Sequence, residues 1–171
     1  GPNATQRYER LEDISLYRYP APPTTSSTLS FVWEFTYCWL WTFFLSFKVL
    51  FREGFDIIHA CNPPETFWLL GGFYKLFGKQ FIFDHHDLSP EMYLSRFGRE
   101  GIAYRLLLFL ERQSFRTADI VITTNETHRQ VAINRGHFDE DRVFIVRSGP
   151  DHSVLRPGAP EPPLKNGKKY M

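Results

Sequence analysis

Residues 79–91 read KQFIFDHHDLSPE, and the change from apolar to polar within this stretch decides the fold. The run 79–83 is short, bulky and apolar, as in a strand buried within a sheet. It ends on Asp84, His85, His86 and Asp87, which gathers polar chemistry at its carboxyl end. Similar runs lie on either side. FDIIHA (55–60) reads as a buried strand and leads into the rigid polar loop Cys61, Asn62, Pro63, Pro64. Downstream, ADIVITTN (118–125) and RVFIVRS (142–148) carry the same signal.

The segments between these runs have helical spacing. It predicts helices over 65–77, stopped by Gly78, over 99–117, and from about Asn125 to Arg135, capped by Thr124 or Asn125 and ended by Gly136. Residues 88–98 read as a loop, and DISLYRY (13–19) as a half-buried strand ahead of the first helix. Strand and helix in alternation specify an α/β fold, a Rossmann-like doubly wound parallel sheet with right-handed crossovers. Ligands of such sheets bind outside the carboxyl ends of the strands, so the loops 61–65, 84–91 and 124–127 are expected to converge on one crevice.

Composition bounds the function. At 171 residues, 43% hydrophobic and 23% charged, the chain is a folded domain rather than a disordered one, and too short for two catalytic domains. A net charge of +1 gives no electrostatic footprint for nucleic acid. Cys38 and Cys61 have no paired spacing and read as buried free thiols of a reducing compartment. The first 28 residues are polar and turn-rich, unlike a secretory leader. Aromatic residues concentrate in LSFVWEFTYCWLWTFFLSFKVL (29–50), which is long enough to be a membrane span but interrupted by Glu34, Thr36, Thr42, Ser46 and Lys48. It reads as a buried crossover helix with a membrane-facing side, a true span being the alternative. The Pro-rich stretch 156–171 reads as a linker.

The strand-end cluster holds the candidate chemistry. Metal binding is not expected, because successive residues leaving a strand point to opposite faces and His85 and His86 would not meet at one ion. An imidazole there suits a sugar hydroxyl or a developing charge, or else is satisfied by a neighbouring carboxylate. Asn125 and Glu126 offer an amide and helix N-terminal N–H groups, or simply cap a helix. The loop carrying Asn62 and Glu65 is a helix entry or a ligand wall. No Gly-rich phosphate loop occurs, and Gly71 and Gly72 read as close-packing positions. Arg105, Arg112 and Arg116 form a stripe, either a solvated face or a contact for anionic lipid or a phosphorylated acceptor.

FDIIHACNPPETF (55–67), FIFDHHDLSPEMYLSRFG (81–98), ADIVITTNETHRQVA (118–132) and RVFIVRSGPD (142–151) together resemble the amino-terminal domain of the retaining glycosyltransferases of family 4. The resemblance implies one half of a two-domain GT-B enzyme, in which this half mainly holds the acceptor and a following domain holds the nucleotide-sugar. It implies that residues 1–155 form the amino-terminal domain without its first strand, and that 156–171 lead toward the second domain. His86 matches the family's strand-end His that lies against the donor sugar. Asn125 and Glu126 match a polar turn bordering the same cleft, and Ser148, Gly149 and Asp151 match a turn toward the hinge, with Ser148 in place of Asn. The expected function is sugar transfer from a nucleotide-sugar to a glycan or lipid-linked acceptor, with His86 catalytic and Asn62, Glu65, Asp84, Asp87, Asn125 and Glu126 binding substrate. No cofactor or metal is expected beyond the donor itself. The expected location is the cytoplasm, at the inner face of the membrane through 29–50. A noncatalytic Rossmann-like binding module and a GT-B sugar epimerase are the alternatives.

Overall fold

The computed structural model describes residues 6–22, 28–147 and 149. Ser148, Asp151 and the 156–171 linker lie outside the described residues. Four parallel strands, β3 (Ile57–Cys61), β4 (Gln80–His85), β5 (Ile120–Thr123) and β6 (Val143–Ile145), pair in sequence order into one sheet flanked by helices. This is the expected α/β architecture, part of a Rossmann-like half. The remaining elements are β1 (Tyr8–Leu11), β2 (Ile14–Tyr17), α1 (Thr28–Arg52), α2 (Trp68–Lys75), α3 (Ser89–Phe97), α4 (Ile102–Thr117) and α5 (Glu126–Asn134), with a 3-10 turn at Glu140–Arg142.

The pleat sorts side chains into two faces. Ala60, Phe83, Val121 and Val143 are aligned across the four strands, and with Phe81 they meet Phe115, Ala118 and Ala132 in the core. Burial of each large side chain in this row contributes on the order of 1.5–3 kcal/mol. Residues one step along, Ile57, His59, Cys61, Gln80, Ile82, Asp84, Ile120, Ile122 and Phe144, share the opposite face. That face is only partly covered among the described residues, so Cys61 is exposed rather than buried as expected, and Cys38 is half-buried.

Three local readings are corrected. The strand expected over 13–19 does not join the parallel sheet. It pairs with β1 in an antiparallel hairpin, turned at Glu12 with φ 53°, and Tyr17 and Ser15 donate hydrogen bonds to Glu53 at the end of α1. The helix expected over 65–77 begins only at Trp68, because Asn62 and Glu65 are committed to bonds with the next strand's loop. The loop expected over 88–98 is largely α3, with Pro90 in its first turn and Gly98 closing it at φ 63°.

Helix α1 forms an outer layer. Phe43 and Phe47 pack on Phe73 of α2, and Ser46 shares a 2.8 Å hydrogen bond with the fully buried Tyr74 hydroxyl. Its far side leaves Phe44 62% and Phe51 81% exposed. No helix among the described residues is long and apolar enough to cross a membrane.

Gly71 lets α2 lie against β4, since a Cβ there would stand 2.5 Å from the Phe81 ring. Gly71→Ala is therefore expected to destabilise the fold by about 1–3 kcal/mol through overpacking. At Gly72 a Cβ would meet Thr117 at an ordinary 3.7 Å, so Gly72→Ala should stabilise by about 0.5–1 kcal/mol through helix propensity. Urea midpoints of the two variants moving in the same direction would contradict this packing.

Candidate functional site

The site is assembled at the carboxyl ends of β3 and β4, where the loop 61–65 packs against the loop 84–91; of the three expected loops only 84–91 lines the cleft, and 61–65 and 124–127 do not. Asn62, buried after β3, is the junction. Its Oδ1 accepts from the backbone N–H groups of His86 (2.7 Å) and Asp87 (3.2 Å), and its Nδ2 donates to the Asp87 carbonyl (2.7 Å) and to Glu65 Oε1 (2.9 Å). Ser89 at the start of α3 donates to the same Glu65 oxygen. Asn62 and Glu65 are thus turned into the protein, where they fix the loop that carries His86. On the other side, His128 Nδ1 lies 3.2 Å from the His85 carbonyl oxygen, which ties α5 to the end of β4.

His85 and His86 separate as the pleat requires. The His85 ring is fully buried against Phe83 and Phe115, with neither nitrogen hydrogen-bonded among the described residues. The His86 side chain is 43% exposed, and its Nε2 stands 3.0 Å from Asp84 Oδ1 at an angle too poor for a hydrogen bond. The other carboxylate oxygen, Asp84 Oδ2, is 2.9 Å from His59 Nε2. One largely buried carboxylate therefore sits between two imidazoles, and with Nε2 of His86 turned to it, Nδ1 is the ring atom left for a ligand.

Beside His86 opens a cleft of about 550 Å³. One face of α3 forms its wall: Leu88, Glu91, Met92, Ser95 and Arg96 recur at helical spacing, and Asp87 and His128 complete the lining. Asn125 does not line it. Its Oδ1 accepts from the His128 N–H at 3.0 Å, the bond of a helix cap, and its Nδ2 donates to Thr124. Glu126 lies along its own helix, accepting from Gln130 at 2.7 Å with Arg129 at 3.5 Å. Of the expected site residues, the structure brings His86 and Asp87 to the cleft, sets Asp84 beside the His86 ring, puts Asn62 and Glu65 behind it, and uses Asn125 and Glu126 within α5. The arginine stripe on α4 is exposed.

His59, Arg96 and His128 were not singled out by sequence reading. The spacing 88, 91, 92, 95, 96 ahead of Gly98 was a usable signal for the α3 wall. For His59 the only signal was its strand register, which sets it opposite Ile82, beside Asp84 on the same face.

Behind the cleft lies a buried ionic group. Arg135, at the end of α5, donates Nε and Nη2 to the two oxygens of Glu111, each at 2.7 Å, and also pairs with Glu91 of α3. Glu111 Oε2 is 3.7 Å from His85 Nε2. Burial alone would raise the Glu111 pKa, but the hydrogen bonds and charge of Arg135, with the His85 ring nearby, outweigh it and hold the carboxyl below its usual range. The guanidinium bridges three helices, α3, α4 and α5.

Asn62→Ala, which strands the His86 and Asp87 N–H groups, should cost about 1–3 kcal/mol in a denaturant titration. His86→Ala should stay within about 0.5 kcal/mol of wild type, as expected for an exposed side chain. The depressed Glu111 carboxyl contributes stability that is present above its usual pKa of about 4.3 and lost as pH falls through its lower folded value. Wild-type stability should therefore drop on acidification by more than that of Glu111→Gln. Arg135→Met should lose about 3–5 kcal/mol at pH 7 by leaving the buried carboxylate unpaired.

The family model described as Glycosyl transferase 4-like domain matches residues 1–149. A search of curated proteins finds no match. With that model spanning most of the chain and the polar cluster set at the ends of its parallel strands, the protein belongs to the glycosyl transferase 4-like domain family.

Proposed function

We propose that the protein transfers a sugar from a nucleotide-sugar to a glycan or lipid-linked acceptor with retention of anomeric configuration. The observation that carries this reading is His86, exposed at the carboxyl end of β4, backed by Asp84 and held by the Asn62-bound loop. In the reaction the bond from the anomeric carbon to the leaving phosphate breaks, a bond to the acceptor oxygen forms on the same face, and the acceptor proton passes to the departing phosphate. His86 hydrogen-bonds the donor sugar through Nδ1, an interaction that gains strength as positive charge develops on the ring. Asp87 faces the substrate beside it. Asp84, Asn62 and Glu65 act by positioning, and Asn125 and Glu126 by anchoring the α5 entrance.

No separate cofactor is required, because the nucleotide-sugar supplies the activated group. Attachment to the inner face of the cell membrane is supported by the exposed aromatic residues of α1 and by the arginine stripe of α4, whose cations suit anionic headgroups.

The test is nucleotide release from UDP- and GDP-sugars with membrane lipid extract, using the reading frame that encodes this chain and its His86→Ala variant. Turnover lowered by about 10²–10³-fold in the folded variant is expected from loss of a transition-state contact. Unchanged turnover would reduce His86 to a structural residue, and no turnover with any donor would overturn the transferase reading.

A further inference from the structure

Between α1 and the loop that leaves β3 lies an apolar hollow of about 380 Å³, walled by Tyr19, Phe35, Cys38, Trp39, Pro63 and Pro64. Its size falls in the range of about 300–1,000 Å³ usual for small-molecule sites, which are largely apolar with few polar groups. A second hollow, of about 200 Å³, lies between the same Phe35 and Trp39 and the side chains of Leu40 and Leu69. The two share those rings and form a trough along α1. One end runs out to Leu40 and Leu69, both exposed, on the aromatic and aliphatic surface of α1 and α2. The other end is bounded by Pro63, joined directly to Asn62, whose side chain holds the His86 loop. Pro63 and Pro64 thus wall the trough, and Asn62, next to them in the chain, tethers the loop that lines the cleft.

The walls select the occupant. Two prolines and stacked rings line a narrow shape, with Trp39 on Phe43 at 5.5 Å and Tyr19 on Trp41 at 6.4 Å. A hydrocarbon chain fits such a trough; a hydroxyl-rich sugar would leave its polar groups unpaired there. Glu34 is the one charged residue of the first hollow's wall, and it repels a phosphate. An anionic head is therefore kept out of the trough, while the cleft lined by the loop that Asn62 tethers offers Arg96, His86 and His128. We infer that the trough holds the hydrocarbon chain of a lipid-linked acceptor and delivers its phosphate-bearing head past Pro63 and Pro64 to the His86 cleft. This rests on the transferase reading above, which it narrows from a glycan or lipid acceptor to a lipid one.

Cys38 in the trough wall provides a readout that does not depend on turnover. In the full reading frame carrying Cys61→Ser, the rate of Cys38 alkylation by N-ethylmaleimide is measured with farnesyl phosphate as the probe and inorganic phosphate as the control. Farnesyl phosphate should slow labelling at least ten-fold and inorganic phosphate should leave it unchanged. Thr42→Leu adds bulk where Thr42 lines the hollow and removes the hydroxyl that bonds the carbonyl of Cys38 and interacts with Tyr19; it should abolish the protection. A second variant, Cys38→Phe, fills the same space and should block sugar transfer to lipid extract while leaving transfer to a water-soluble glycan. Unslowed labelling, equal slowing by inorganic phosphate, or full protection in Thr42→Leu would each overturn the inference. Unslowed labelling alongside transfer to lipid extract overturns the trough alone. Protection without transfer to any acceptor supports the trough and counts against the transferase reading.

Discussion

Asn62 commits all the hydrogen-bonding capacity of its side chain to the loops leaving two neighbouring strands, and the geometry of the site depends on that commitment. A carboxamide has two donors and two acceptor positions, and here each has a backbone or carboxylate partner. Because the group is buried, no alternative partner from solvent competes for it, and the His86 backbone cannot shift without leaving polar atoms unpaired. The path of the backbone that carries His86 is thereby set before any ligand arrives. Asp84 sets a carboxylate oxygen 3.0 Å from the ring, so the backbone is held from one strand and the imidazole is faced by a carboxylate from the next.

The sheet was legible in the sequence because its signals are local. The runs around Ile57, Phe81, Val121 and Phe144 are short, apolar and bounded by turn residues, and each is a strand. Gly71 was likewise legible, since a glycine inside an apolar helical pattern has few uses other than close approach. What could not be read were partnerships between residues far apart in sequence. Arg135 meets Glu111 and Glu91 across 24 and 44 positions, and His59 meets Asp84 across 25. Nothing in the spacing of those residues specifies their contact; it follows from strand register and helix packing. The hairpin failed to be recognised for a related reason: a four-residue alternation is the same whether its partner is parallel or antiparallel, and only the turn at Glu12 decides.

The two adjacent histidines show how one local pattern serves two purposes. His85 completes the core row beside Phe115, while His86 enters the cleft. Between them the chain passes from the packed interior to the working surface within a single residue. The Arg135 pairings with Glu111 and Glu91 join these regions, since Glu111 faces His85 in the interior and Glu91 belongs to the α3 wall.

The order in which the strands pair has a consequence for how the chain is made. Among the described residues, β4, β5 and β6 each lie beside the parallel strand synthesised just before them, so each finds a finished neighbour as it leaves the ribosome. Assembly can proceed vectorially, each unit adding to a growing edge with short-range closure and no wait for a distant segment. In that sequence the row from Ala60 to Val143 extends by one residue per unit, and the loops that carry His86 and Asn125 are set in place in the order of their translation.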